Sequence, residues 1–246
     1  MGRPGYRDYV GDAEHMRAYA AYQERYAGSL RESDRVLIEL VREHAKPGAS
    51  LLDMGCSTGN LLLHLSHLAP ELELHGADMV GEIVEACRAD ERLAGVEFYE
   101  QDMLDLKLER SFDIVTANAA LMFFTPEELR RALGQLGTIV NPGGHLIAFD
   151  YVQTVDVSVE IVETSRAFPK GLRFFFRGER EVRDLLDEAG FDEVALTPFH
   201  IPIDLPQPED PAELQTWTRR TADGTGLSFR GGLYQPWCHL VARKRG

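Results

Sequence analysis

The chain has 246 residues, 44% hydrophobic and 27% charged, enough for one domain whose core needs no covalent staples. Forty acidic against 26 basic residues leave a formal net charge of -14, a field that repels phosphate backbones and anionic lipid surfaces, so nucleic acid and membranes are not the expected partners. Cys56, Cys87 and Cys238 are scattered and odd in number, which signals no disulfide framework or zinc site, and the polar N-terminus lacks the apolar stretch of a leader, so a cytoplasmic setting is expected.

The first periodic segment, residues 12–30, is a predicted helix with His15, Tyr19, Tyr22 and Tyr26 along one stripe. Packing against the domain body and closing over a ligand are its two readings. From residue 49, short apolar runs alternate with helix-period segments, the pattern of repeated β-α units on a parallel sheet. Strands are expected over 49–55, 71–78, 96–102, 111–118 and 145–152, and helices over 60–69 and 81–90. Thr125-Pro126-Glu127-Glu128 combines an N-cap, a first-turn proline and a capping-box glutamate, so a further helix begins there and runs to about Ile139. Residues 157–168 read as a helix inserted after the fifth strand, and 178–191 as the next regular helix. Two long alternating segments, 191–205 and 228–244, suit an antiparallel pair that closes the sheet.

The first strand runs into Asp53-Met54-Gly55-Cys56-Ser57-Thr58-Gly59 and then a helix. Such a turn offers unpaired backbone N–H groups and a positive dipole end to a ligand, and its small residues let the ligand approach the main chain. A glycine pattern alone is weak. Its force comes from Asp78 at the end of the second strand, where an acid accepts from ribose hydroxyls, and from Asp102 with Met103 at the end of the third, an acceptor and a polarisable face for an adenine ring.

The blocks LLDMGCSTGN, LHGADMV, YEQDML, FDIVTANAALMFF and NPGGHLIAFDYV resemble, in order, those of class I S-adenosylmethionine-dependent methyltransferases of the small-molecule type. The resemblance implies a Rossmann-like α/β fold: a doubly wound seven-stranded sheet, mostly parallel with an antiparallel C-terminal hairpin, plus an N-terminal helical lid and a helical insertion. It implies a single methyltransferase domain, with a lid over 1–34, a cofactor-binding core over 35–150, a cap insertion over 151–177 and a closing helix and strand pair over 178–246. It implies S-adenosylmethionine as cofactor and S-adenosylhomocysteine as product. Asp53, Gly55, Cys56, Ser57 and Gly59 would hold the methionine end, Asp78 the ribose, Met79, Asp102 and Met103 the adenine, and Asn118 with Ala119 the methyl end. Ser57 replaces the family's middle glycine and is expected to keep a negative φ with its side chain turned away. The same serine occurs in carboxy-S-adenosylmethionine synthase, so that reaction, and binding without turnover, stand as alternatives to methyl transfer.

Gly55-Cys56-Ser57-Thr58-Gly59 also fits the nucleophile elbow of α/β-hydrolases, with Asp150, His200 or His239 as partners, but too few strands precede it. A nicotinamide dehydrogenase would want a small residue where Asn60 stands and would leave Asp102 without a purpose. His64 and His67, three apart on a helix, lack a third ligand, so no metal is expected. Methyl transfer needs a base only where the acceptor must lose a proton; Asp150, Tyr151 and His200 are the catalytic candidates, with His15 and Tyr22 behind them. Phe174-Phe175-Phe176 between Arg173 and Arg177, with Trp237, is expected to line a pocket for a small, anionic acceptor. As a strand, the three phenylalanines alternate faces and at least one belongs to the core. The chain is expected to be a monomer or homodimer.

Overall fold

The computed structural model describes residues 5–25, 27–165, 169–210 and 215–246, without the side chains of residues 13–15, 18, 22 and 25. Two helices, α1 (Tyr6–Val10) and α2 (Ala13–Arg25), precede α3 (Glu32–His44). The sheet is then built from β1 (Ser50–Met54), α4 (Asn60–Leu68), β2 (Glu73–Asp78), α5 (Gly81–Ala89), β3 (Glu97–Glu100), β4 (Phe112–Asn118), α6 (Pro126–Ile139) and β5 (Val140–Gln153). After β6 (Val159–Glu163) and β7 (Leu172–Gly178) come α7 (Glu179–Glu188), β8 (Phe191–Pro198), β9 (Thr216–Arg220), β10 (Gly226–Arg230), β11 (Leu233–Tyr234) and β12 (Trp237–Lys244).

Seven strands lie in the order β3-β2-β1-β4-β5-β12-β8. β1 is parallel to both β2 and β4, β4 to β5, and only β12 runs against its neighbours β5 and β8. This is the doubly wound sheet with one antiparallel closing pair that the sequence implies. β1 is buried along its whole length, as a central strand covered on both faces must be, which explains why its residues do not alternate in polarity. One apolar layer packs α6 and α7 through Leu129, Leu133, Leu136, Val182 and Leu186, and the other packs α3, α4 and α5 through Leu37, Val41, Leu62, Leu65 and Val84. The capping box forms as expected: the Glu128 N–H donates to Thr125 Oγ1, and the Thr125 N–H to Glu128 Oε2.

Two expectations are corrected. The insertion after the fifth strand is not helical where described: β6 pairs antiparallel with β7, which meets the end of β5 through Val152 and Gln153. Val159, Ile161 and Val162 are β-branched and settle on a pleated surface, a preference that outweighs a short helical period. The 228–244 segment is also broken, because Gln235-Pro236 interrupts it and only β12 joins the main sheet. Its first part turns back on β9, within the proline- and acid-rich linker, to make a separate three-stranded sheet with β11.

Candidate functional site

Strand order reverses between β1 and β4, and at such a switch point the loops leaving adjacent strands diverge and open a crevice at the carboxyl edge. The β1 loop enters it through three left-handed residues, Gly55 (φ 78°), Ser57 (φ 49°) and Gly59 (φ 74°), the last capping α4. The expected negative φ at Ser57 is therefore wrong. The loop turns too tightly for it, and the strain is offset by pinning: the Gly55 and Cys56 N–H groups both donate to the Ala77 carbonyl, and the Ser57 N–H donates to Asp78 Oδ2 at 3.0 Å. Ser57 Oγ is buried beside the Tyr19 phenol without a well-formed hydrogen bond. The thiols of Cys56 and Cys87 both turn toward the Ser57 carbonyl.

Asp78 takes the Val80 N–H on its other oxygen, so it braces the loop while keeping lone pairs for hydroxyl donors, and burial raises its pKa. Asp53 lies below the loop, 2% exposed, accepting from Thr116 Oγ1 at 2.7 Å, and burial lifts its pKa to about 7. Across the crevice, Ala119 adopts φ 55° and donates its N–H to the Phe149 carbonyl, and a Cβ on Gly55 would come within 3.2 Å of Ala120 Cβ. Asn118 donates from Nδ2 to Asp34 Oδ1 at 3.0 Å. Asp34 is a residue the motif reading missed. Its signal was an acid on the apolar stripe of α3, in helical register with Leu37, Ile38 and Val41.

Asp102 accepts the Leu104 N–H and an ion pair from Arg7 at 2.5 Å, with Met103 buried beside it and Met79 half-buried at the neighbouring strand end. The N-terminal helices therefore cover the crevice. Tyr6 is edge-on to Phe124 and Tyr9 stacks on Phe123 at 5.2 Å. Burial raises both phenol pKa values, and the charge of Asp78 reaches both rings, that of Asp102 only Tyr6. Arg31 donates to Gln23, which is also reached by Asn60 at the start of α4. The stripe side chains His15, Tyr22 and Tyr26 lie outside the described residues.

The catalytic candidates separate. Asp150 is buried, with one oxygen taking the Leu121 and Met122 N–H groups and the other its neighbour's, and burial raises its pKa to about 6 even with Arg177 nearby. The Tyr151 hydroxyl accepts from Gln235, and its ring packs on Trp237 at 4.1 Å and on Phe176. His200 is not in the sixth strand but two residues past its end, exposed at the carboxyl edge. Phe174 and Phe176 join the Tyr151 cluster, while Phe175 faces away between the guanidinium groups of Arg173 and Arg177. Neither arginine ends the pocket as expected, because Arg173 pairs with Glu160 and Arg177 with Glu181 and the Phe124 carbonyl. The guanidinium near Tyr9 and Tyr151 belongs instead to Arg230, held by Glu163 at 2.9 Å.

A cavity of about 390 Å³ opens between α2 and α5, touching the loop at Thr58. Asp78, Asp102 and Asn118 are not among its lining residues; Tyr6 and Tyr9 cover that side.

Residues 51–144 match the model of a family described as a methyltransferase domain. Among curated proteins, the chain is 26% identical over 136 residues to a carboxy-S-adenosyl-L-methionine synthase of Campylobacter lari, covering 54% of this chain and 56% of the relative. It is 26% identical over 106 residues to a malonyl-[acyl-carrier protein] O-methyltransferase of Bacillus cereus, covering 42% of this chain and 39% of the relative. The chain thus spans about half the length of these relatives, or less. Among solved structures, an amino pentose methyltransferase from Micromonospora echinaspora with S-adenosylmethionine bound shares the fold, with a TM-score of 0.57 and 19% identity over 91% of this chain and 96% of that one.

Proposed function

We propose that the chain is a class I S-adenosylmethionine-dependent methyltransferase, a reading supported by the match of residues 51–144 to a methyltransferase domain, and that it transfers the methyl group of S-adenosylmethionine to a small-molecule acceptor. The observation that carries the reading is the alignment of Asp53, Asp78 and Asp102 at successive strand ends around a left-handed loop whose buried Ser57 hydroxyl lacks a good partner. These residues fit the cofactor. Asp78 retains lone pairs for two ribose hydroxyls, Asp102 with Met103 and Met79 suits adenine, and the N–H groups at the start of α4 suit a carboxylate, assisted by Arg31.

When bound, the cofactor supplies a methyl group already activated by its sulfonium. The protein's work is alignment and exclusion of water. α1 and α2 close the adenosine side, and Tyr151, Phe174, Phe176 and Trp237 wall the acceptor side under the Arg230–Glu163 pair. Asp150 is a brace in this reading, since both its oxygens serve backbone N–H groups. If the acceptor must lose a proton, the exposed His200 remains as its receiver; burial raises the Tyr151 pKa, so its phenol stays protonated and serves as a wall of the site. The setting fits a soluble, cytoplasmic enzyme acting as a monomer or homodimer.

Calorimetric binding of S-adenosylmethionine, followed by transfer of a labelled methyl group to a small molecule in a metabolite extract, is the expected result. Binding without label transfer to any extract would defeat the catalytic reading. The similarity to a carboxy-S-adenosylmethionine synthase supports a second one, for which mass spectrometry would find a carboxylated cofactor retained by the purified protein.

A further inference from the structure

Asp34 and Asn118 leave an imbalance of donors and acceptors at the methionine side of the crevice. Asp34 is 5% exposed and accepts one hydrogen bond, from Asn118 Nδ2 to Oδ1, and neither residue makes another among the described residues. A carboxylate only accepts, so the amide must turn its N–H toward Asp34, which points Asn118 Oδ1 the other way. Asp34 Oδ2 and Asn118 Oδ1 are thus two acceptors without a donor, held together by the hydrogen bond between their side chains. Neither oxygen is sealed from solvent, so both stand open to a donor that enters the crevice, and a charged donor gains most from a carboxylate.

The surroundings specify the sign of that donor. Asp53 and Asp78 add further acids at the loop, and the field of Asp34 adds to burial in raising the Asp53 pKa, while the Arg31 guanidinium, whose charge reaches Tyr19 and His64, is held on Gln23. Asp53 itself is committed to the Thr116 hydroxyl and sealed under the loop. Asp34 sits in the first turn of α3 without capping its own helix, so the dipole supports its charge while the carboxylate faces the crevice. The His239 ring, close enough to Asp34 to feel its charge, has Nε2 on the Ser33 carbonyl, and burial lowers its pKa, so it brings no cation here.

We propose that Asp34, together with Asn118 Oδ1, is the receptor for the α-ammonium group of the cofactor's methionine end. This assignment rests on the cofactor reading above and shifts the ammonium contact from Asp53, inside the glycine motif, to a helix that precedes it. An ammonium has three N–H donors, two of which match the two unpartnered oxygens. The positive charge also relieves the repulsion among Asp34, Asp53 and Asp78.

The test compares two ligands on the intact chain by calorimetry. S-adenosylhomocysteine carries the amino-acid end, and 5′-methylthioadenosine shares the adenosine and sulfur but lacks it. Asp34→Asn is expected to weaken S-adenosylhomocysteine at least tenfold, about 1.4 kcal/mol, and to leave 5′-methylthioadenosine within twofold of wild type. Asp34→Glu, which keeps the charge, is expected to recover part of the loss. Unchanged S-adenosylhomocysteine affinity in Asp34→Asn would overturn the assignment. An equal loss of both ligands would too, since it would mark Asp34 as a packing residue. If the wild-type chain bound neither ligand, the cofactor reading itself would fall, and the assignment with it.

Discussion

Asp53 makes a quantitative forecast because its carboxyl is enclosed on every side. Burial raises its pKa from 3.8 to about 7 in the folded chain, so the folded state holds the proton more tightly than the unfolded state does. The stability this contributes is fully present below the unfolded value and is lost as pH rises through the folded value; above about pH 7 the whole penalty is felt. Three pKa units correspond to about 4 kcal/mol, of which about 2.5 kcal/mol develops between pH 5 and pH 8. Asp53→Asn removes the titration while keeping an oxygen for the Thr116 hydroxyl. Its new amide group adds a cost that does not depend on pH. Urea unfolding of both proteins at pH 5 and pH 8 should show the variant gaining about 2.5 kcal/mol on wild type over that interval. An identical stability difference at both pH values would refute the reasoning. A cation arriving beside Asp53 should also expel its proton, so wild-type affinity for S-adenosylmethionine should rise from pH 6 to pH 8 more than that of the variant.

Gly59→Ala places a Cβ at φ 74° and 2.7 Å from Leu93 Cδ1, the end of a flexible side chain. The backbone cost of about 1–2 kcal/mol should lower the melting temperature by several degrees and weaken cofactor binding with it. Asp150→Asn sets an amide N–H against backbone N–H groups and should destabilise the chain by about 2 kcal/mol in urea unfolding; full stability with a collapsed kcat would instead identify Asp150 as the base. Arg7→Ala frees Asp102 from its ion pair, and since the Arg7 side chain is 64% exposed the gain should be at most about fivefold in affinity for S-adenosylmethionine. That gain should vanish in 0.5 M salt, and weaker binding at low salt would mean that the pair holds the lid in place rather than competing for the acid.

The parts of the fold readable from the chain were those where one local rule decides. β1 and β4 are short, mostly apolar runs centred on Leu51-Leu52 and Ile114-Val115, and the capping box at Thr125 fixes the start of α6 to the residue. The positions of Asp53, Asp78 and Asp102 followed from their places at strand ends. Reading failed where tertiary pairing decides. β6 carries a weak helical period, yet its β-branched residues gain a ladder with β7, and β9 lay hidden in a linker because Trp217 becomes a strand residue only by stacking on Phe229 at 4.9 Å. Ser57 failed for a related reason, since a positive φ at a non-glycine residue depends on the three hydrogen bonds that hold the turn.

The same distinction explains why the loop motif is an incomplete description of the site. A strand-end acid is positioned by its strand, so its role can be read one residue at a time. Asp34, Arg31 and Tyr6 come from helices ahead of the sheet, and their order along the chain says nothing of which strand end they will face. Once α3 packs on the sheet through Leu37, Ile38 and Val41, the helical period carries Asp34 onto the same face and into reach of Asn118. An acid on an apolar stripe is costly unless charge or hydrogen bonds await it. At Asp34, Asn118 meets only part of that requirement, which is why the ligand's cationic end, rather than the loop's glycines, accounts for the residue.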